Sequence, residues 1–550
     1  AWIPWALLLT DLAVESRWRR PWILLTLVFT LQFLAAEPFT LLASFALCLI
    51  YALFRAGEFH RPWAVAHIRI IATFAAVGLL MVALASIQLL PSLSLLSNSR
   101  RGVEGLPFNE TTSWSLHPLQ LLDWVVPEFF GSATGTPTLW MMVLANRNMP
   151  YYLSSFVGFV TLWLAFVGFI VGRGRQRAFA GFGAMVLLVL SFGRFTPVFD
   201  LVYLIFPPLA LVRFPVKLLV PMLRLGALLA GWGIDAMRLS DERLNRQRRR
   251  VVVGLTVLLG VLVAGWLLTV IAPNWIGSAA GWILLRTNLM FVRTPAGELT
   301  GEHVRWAVGY FVKMLQIHLP GLAGFALGGA LWVWASTNRP AWARKALPGA
   351  ILLGIGQLAG VNYSANPTVP KTFYTYRPPV LDHFDPSGQP SRFVYVFREA
   401  AAPATTPDTQ GFVNFDSIPE ARDLPPAAQI PFRDRLILAR AAMLTGAEGV
   451  MNIDVERSFP AYLNEFWIFA LKGLADPART ACLMGRGNVR YQVHRERVNS
   501  SLEREVAPIA NGSPNPHYLY ENLCALPRAF AAGKATVASN VPDVLSRLSD

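Results

Sequence analysis

Runs of apolar residues separated by short arginine-bearing connections recur along the chain as far as residue 361. Read at helical period, they predict spans at 2–15, 22–36, 38–54, 69–90, 151–171, 178–193, 217–237, 251–271, 318–336 and 347–361. Segments such as Val251–Ile271 reach the roughly 20 residues that cross a bilayer. Tryptophans stand near many of the run ends (Trp5, Trp18, Trp22, Trp63, Trp140, Trp275, Trp342), where amphipathic rings sit at the lipid–water boundary.

The charges between the runs alternate. One set of loops carries Arg17, Arg19 and Arg20, then Arg55, Arg61 and Arg69, then Arg173, Arg175 and Arg177. Next come Arg238, Arg243, Arg246, Arg248, Arg249 and Arg250, and last Arg339, Arg344 and Lys345. The positive-inside rule puts all of these in the cytoplasm. The other side then holds a turn at Ala36-Glu37-Pro38, a loop at 91–150, a segment at 194–216, a loop at 272–317 and everything from 362 on. Phe195–Val212, broken by Pro197, Pro207 and Pro208, reads as a re-entrant or interfacial segment, which protein or a wet cavity must shelter. Trp306–His318 reads as an amphipathic helix along the interface.

From 362 to 550 the pattern becomes that of a soluble domain. Strands are expected at Arg392–Phe397, Val489–His494 and His517–Tyr520, and helices at Arg433–Leu444 and Tyr462–Leu474, between Pro-rich stretches. The expected fold is thus a polytopic α-helical membrane protein of about ten spans, residues 1–361, followed by an extracytoplasmic α/β domain, residues 362–550.

Composition agrees. Of 550 residues 54% are hydrophobic and 15% charged, too apolar for a soluble chain of this length. The net charge of +15 does not indicate nucleic acid, because the arginines are dispersed among short loops rather than gathered in a patch. Cys48 falls within a span, while Cys482 and Cys524 share the outer domain and are free to pair there. The chain opens inside an apolar run without an initiator Met, so the expectation is a segment of a longer protein.

The chemistry concentrates on the outer side. Arg213, Lys217 and Arg224 stand at i, i+4 and i+11, within about 40° of one another on a continuous helix. Arg224 then lies about 10–12 Å below the outer boundary. Such a cluster suits a lipid phosphate, or else pairs structurally with Asp200 or Asp123. Loop 91–150 adds Arg100, Arg101, Glu104, Glu110, His117, Asp123 and Glu128, whose carboxylates beside arginines read as a base-catalytic or metal-binding group or as a solvated loop surface. No HExxH, paired CxxC, GxSxG or P-loop pattern occurs, so no metal or cofactor is expected. Gly324-Phe-Ala-Leu-Gly328 reads as a close helix-packing seam.

Several stretches resemble one family. They are Ile87-Gln-Leu-Leu-Pro91 with Ser99-Arg100, Leu121–Gly131 followed by Tyr151, and Phe192-Gly-Arg-Phe-Thr-Pro197 with Pro207, Pro208 and Arg213-Phe-Pro215. Tyr520-Glu-Asn522 followed by Leu526-Pro-Arg-Ala529 resembles a strand pair of the same family. Together these resemble the YfhO-like bacterial membrane proteins, which are similar to GT-C glycosyltransferases. The resemblance implies transfer of a sugar from a polyprenyl-phosphate donor to a cell-envelope acceptor at the outer face of the inner membrane, with membrane lipid as surroundings. It implies Gln88, Pro91, Arg100, Arg194 and Arg213 as shapers of the donor cavity, joined on charge grounds by Arg101, Lys217 and Arg224. The family's catalytic acidic residue comes from an earlier outer loop, so this chain alone is expected to be inactive, with Glu37 and Asp123 as the candidate bases inside it. Where many relatives have Gly-His-Pro, this chain has Ala36-Glu37-Pro38. The alternatives are a non-catalytic subunit of a larger membrane complex, or a lipid or polysaccharide transporter; the latter is expected to show paired broken helices, and only one Pro-interrupted region is present.

Overall fold

The computed structural model of the 550-residue chain describes residues 2–15, 19–35, 37–59, 63–130, 151–152, 154–171, 174–206, 209, 213–238, 242–286 and 301–363 of the apolar part. Beyond that it describes 383, 392–396, 448–450, 466, 469, 477–494, 497–509, 517–527, 537–538, 540, 543–544 and 547. The chain divides into two units, residues 1–93 with 106–367, and 94–105 with 368–550.

In the first unit each expected span holds a helix, although the one expected at 151–171 is helical only from Phe159. The helices are α1 (Ile3–Glu15), α2 (Arg20–Leu34), α3 (Pro38–Phe59), α4 (Trp63–Leu84), α5 (Ser86–Asn98, which runs on into the second unit) and, beyond short helical segments at Arg100–Glu104 and Phe108–Thr111, α6 (Phe159–Val171) and α7 (Arg175–Ser191). Then follow α8 (Pro197–Ile205), α9 (Leu219–Arg238), α10 (Glu242–Ile271), α11 (Pro273–Arg286), α12 (Gly301–Asn338) and α13 (Pro340–Asn362). Five segments among the described residues are long and apolar enough to cross a membrane: Pro38–Ala56, Ala64–Leu84, Pro215–Ala236, Asn245–Ile271 and Val308–Asn338. This is a helical, membrane-embedded chain. Of the other expected spans, α1, α2, α6 and α7 have 13, 15, 13 and 17 residues, so length separates them from the five.

Two expectations change. The amphipathic helix at 306–318 and the span at 318–336 are one helix, α12, of 38 residues running through Pro320. The loop 272–317 contains α11. Phe195–Val212, expected as a re-entrant or interfacial segment, holds α8, whose 9 residues, about 13 Å at the helical rise, are too short to cross. Residues 433–444 lie outside the described residues, and of 462–474 only Phe466 and Phe469 are described, both helical.

Glycine decides the tightest packing. A Cβ at Gly168 of α6 would stand 1.8 Å from the Leu229 carbonyl oxygen of α9, and one at Gly233 would stand 2.1 Å from that of Leu164. Backbone meets backbone there, the close approach that small residues permit between membrane helices. Gly324 and Gly328, the expected seam, have nothing within 4 Å of an added Cβ, while Gly329 beside them packs on Trp163. Trp163 and Trp332 meet at 5.3 Å in the core that α6 and α9 share with α10 and α12. A second core gathers Leu25, Phe29, Phe74 and Cys48 from α2, α3 and α4 against Leu225 and Leu229 of α9.

Two arginines read as loop charges are buried in this packing. Arg55 bonds Asp11 at 2.9 Å and also pairs with Glu15. Arg248, 1% exposed, lies inside α10 and donates to the carbonyls of Ala236 and Ser336 near the C-terminal ends of α9 and α12, and to Asn245 Oδ1. Unpaired carbonyls and the negative dipole end make a helix C-terminus a natural seat for a cation.

The second unit contains a five-stranded mixed sheet of order β2-β1-β3-β5-β4. Its strands are β1 (Arg392–Val396), β2 (Glu448–Val450), β3 (Val489–His494), β4 (Glu503–Ile509) and β5 (His517–Asn522), with helix α14 (Pro477–Arg486) before β3. β1 runs parallel to β2 and β3; β5 is antiparallel to β3 and β4. The three expected strands are present, and β2 and β4 are additional. Tyr520-Glu-Asn522 ends β5; of the expected partner stretch Leu526–Ala529, Leu526 and Pro527 are coil and residues 528–529 lie outside the described residues. Asn522 instead ties elements together, donating to the carbonyls of Ala481 in α14 and Val489 in β3. Glu521 lies between Arg490 and Arg504; burial would raise its pKa, but hydrogen bonds and charge from the two arginines outweigh that and hold it low. Cys482 and Cys524 are joined in a disulfide.

Candidate functional site

The chain just ahead of α9 carries the densest set of expected site residues. Phe214 adopts a left-handed backbone, φ +73°, which is costly for a bulky residue and persists only where its surroundings fix it. They do so here: its N–H donates to the Thr111 carbonyl at 3.1 Å, and its ring meets Trp114 at 4.4 Å and Tyr151 at 5.4 Å. Trp114 is itself left-handed, φ +51°. A 3₁₀ turn, Pro215–Leu218, then leads into α9.

This turn breaks the continuous helix on which the one-face arrangement of Arg213, Lys217 and Arg224 depended. Arg213 lies before the turn, is 7% exposed, and its guanidinium sits 4.7 Å from the Phe214 ring. The Lys217 ammonium lies 5.2 Å from the same ring and 5.7 Å from that of Tyr151. Two cations therefore approach one aromatic group, within the range of cation–π attraction. Lys217 also donates to the Glu37 carboxylate, at 2.9 and 3.2 Å. Asp200, one expected structural partner of the cations, is exposed on α8. Arg224 stands further along α9 with an exposed side chain.

Arg194 organises the loop behind this group. Its side chain donates to the carbonyls of Thr112 at 3.2 Å and Asn109 at 2.7 Å, and its N–H donates to Ser115 Oγ at 3.1 Å. Gly193, φ +47°, lets Ser115 approach, since a Cβ there would stand 2.1 Å from that hydroxyl. Burial works against the Arg194 charge and lowers its pKa. In this structure Arg194 holds backbone.

Asp123 closes a 3₁₀ turn, Pro118–Trp124, that His117 and Gln120 cap reciprocally. Burial pushes its carboxyl up to about 7, against the pull of the backbone N–H groups of Phe130 and Phe129. Phe130 N–H donates to it at 3.3 Å. Glu128 nearby is left-handed, φ +52°, and its carbonyl accepts from the Tyr310 hydroxyl. Gln88 is half-buried on α5. Arg100 and Arg101 belong to the second unit, where Arg100 pairs with Glu104 at 3.4 Å.

Sequence reasoning named the cations but missed the Glu37–Lys217 pair and the aromatic group of Trp114, Tyr151 and Phe214. The aromatics carry no local pattern that marks them; Arg213-Phe-Pro215 was the nearest signal. Among the described residues no three His, Cys, Asp or Glu side chains gather as a metal site. No family model, no curated protein and no solved structure matches this chain.

Proposed function

We propose that this chain is part of a GT-C-like membrane glycosyltransferase that takes a sugar from a polyprenyl-phosphate donor at the outer face of a bacterial inner membrane. The observation that carries the reading is the placement of Arg213 and Lys217 close to the same Phe214 ring, where the apolar segment Pro215–Ala236 begins. A lipid phosphate in a bilayer lies at that level. Arginine offers a planar fork to phosphate and lysine a point charge, while the faces of Trp114 and Tyr151 offer apolar surface to a prenyl chain or sugar ring. On this reading the chain makes about ten passes, and the domain from 362 on lies outside the cytoplasm, toward the acceptor. Glu37, tied to Lys217, tunes the cation rather than acting as a base. Asp123, its carboxyl poised near neutrality, is the acid–base candidate within the chain, and the family's own base belongs to an earlier loop.

Binding decides the reading. The purified chain in detergent should bind an undecaprenyl-phosphate sugar, by native mass spectrometry, and lose at least about tenfold in affinity in both Arg213→Ala and Lys217→Ala, since a charged hydrogen bond contributes about 1.5–3 kcal/mol. Unchanged affinity in folded variants would sink it. The orientation is tested separately with Arg249→Cys and Asn499→Cys in a cysteine-free background. An impermeant maleimide applied to spheroplasts should label position 499 and spare 249.

A further inference from the structure

Arg224 is a site candidate that stands apart from the aromatic group, and its position poses a physical problem. The segment Pro215–Ala236 has 22 residues, about 33 Å at the helical rise and close to the thickness of a hydrocarbon core. Arg224 is about 14 Å from one end and 18 Å from the other. Its charge therefore sits near mid-membrane, too deep for the headgroup phosphates of ordinary bilayer lipids. The side chain is exposed, and among the described residues it has no hydrogen-bond or ion-pair partner. A charge left in lipid at that depth is costly, and intramembrane arginines face a partner or a wet cavity.

The face around it is built for close approach. Leu223 (38% exposed) and Leu228 (45%) flank it, with Ala227 and Gly231 exposed on the same strip. An added Cβ at Gly231 would meet nothing within 4 Å, whereas Gly233, on the opposite side of α9, is pressed against α6. The helix thus has one small-residue seam filled from within the chain and a second one that none of the described residues fills, with a cation in it.

We infer that this face of α9 docks a membrane-spanning helix of another polypeptide that carries an aspartate or glutamate at mid-depth, paired with Arg224. Charge complementarity selects the occupant: a neutral helix would leave the cation desolvated and unpaired, while a carboxylate opposite satisfies both groups. The inference does not depend on the donor-site reading, which rests on Arg213 and Lys217.

The test uses the full chain in phosphatidylcholine vesicles with synthetic Leu-rich spanning peptides bearing a central Glu, Gln or Leu. Energy transfer between labelled chain and peptide reads association. The Glu peptide should associate at least about tenfold more tightly than the Leu peptide, with Gln between them. Arg224→Leu should abolish the preference, Arg224→Lys should keep it, and Arg224→Glu should transfer it to a peptide with a central Lys. Equal association of the Glu and Leu peptides with the wild-type chain overturns the proposal. So does crosslinking of a photoactivatable anionic phospholipid at Arg224 that competes with the Glu peptide, which would make the occupant a lipid.

Discussion

The Lys217 ammonium lies 2.9 Å from the Glu37 carboxylate across 180 residues of chain. The pair joins the turn before α3 to the turn before α9. It also gives Glu37 a role that needs no catalysis. Glu37 is more than a third exposed and Lys217 less so, so solvent screens their attraction. Glu37→Gln should cost under about 1 kcal/mol of stability, and Lys217→Met should remove most of that effect in a double-mutant cycle followed by thermal unfolding in detergent. A coupling energy near zero would show that the two side chains do not stabilise each other.

Arg248 makes the opposite prediction. It is buried and serves carbonyls at the ends of two helices besides its own. Arg248→Ala leaves those acceptors and a void, and should cost about 3–5 kcal/mol. Arg248→Lys keeps the charge but not the fork, and should recover less than half of the loss. Detergent-solubilised yield and melting temperature report both.

Asp123 should make stability fall with pH. Its carboxyl is raised from the usual value to about 7 in the folded chain, so between about pH 4 and 7 the folded state binds more protons than the unfolded one. Stability contributed by the protonated form is therefore lost across that window and stays lost above it. Asp123→Asn should melt together with the wild type below pH 4 and above it at pH 8, by roughly 2–4 kcal/mol in equivalent stability. A pH-independent difference between the two would mean that Asp123 does not titrate in this window.

The Cys482–Cys524 bridge closes a sequence separation of 42 and clamps α14 to the end of β5. Loop-closure entropy puts its contribution at about 4 kcal/mol. Protein extracted under non-reducing conditions should show only Cys48 reactive to maleimide after denaturation, and Cys482→Ser should become protease-sensitive within residues 477–527. Three reactive thiols would place these cysteines in a reducing compartment and count against an outer domain.

The apolar runs made the helices legible, because a helix in lipid satisfies its own backbone and needs nothing but apolar side chains of sufficient length. That is why each expected span holds a helix, the one at 151–171 starting only at Phe159. The strands at Arg392, Val489 and His517 were legible for a similar reason, since alternating aromatic and β-branched residues suit a pleated surface. Residue types along the chain also marked Arg213, Lys217 and Arg224 as charges out of place.

What those charges touch was settled only by tertiary structure. Arg248 is indistinguishable in sequence from Arg249 and Arg250, yet it alone of the three is buried, because helix rotation aims it at the carbonyl ends of α9 and α12. Lys217 meets Glu37 because two turns distant in sequence converge. The left-handed Phe214 separates Arg213 from the helix that carries Arg224, and no helical periodicity encodes a backbone conformation held in place by Thr111 and Trp114. Contacts between distant segments set both the pairings and the breaks; local pattern set the elements that carry them.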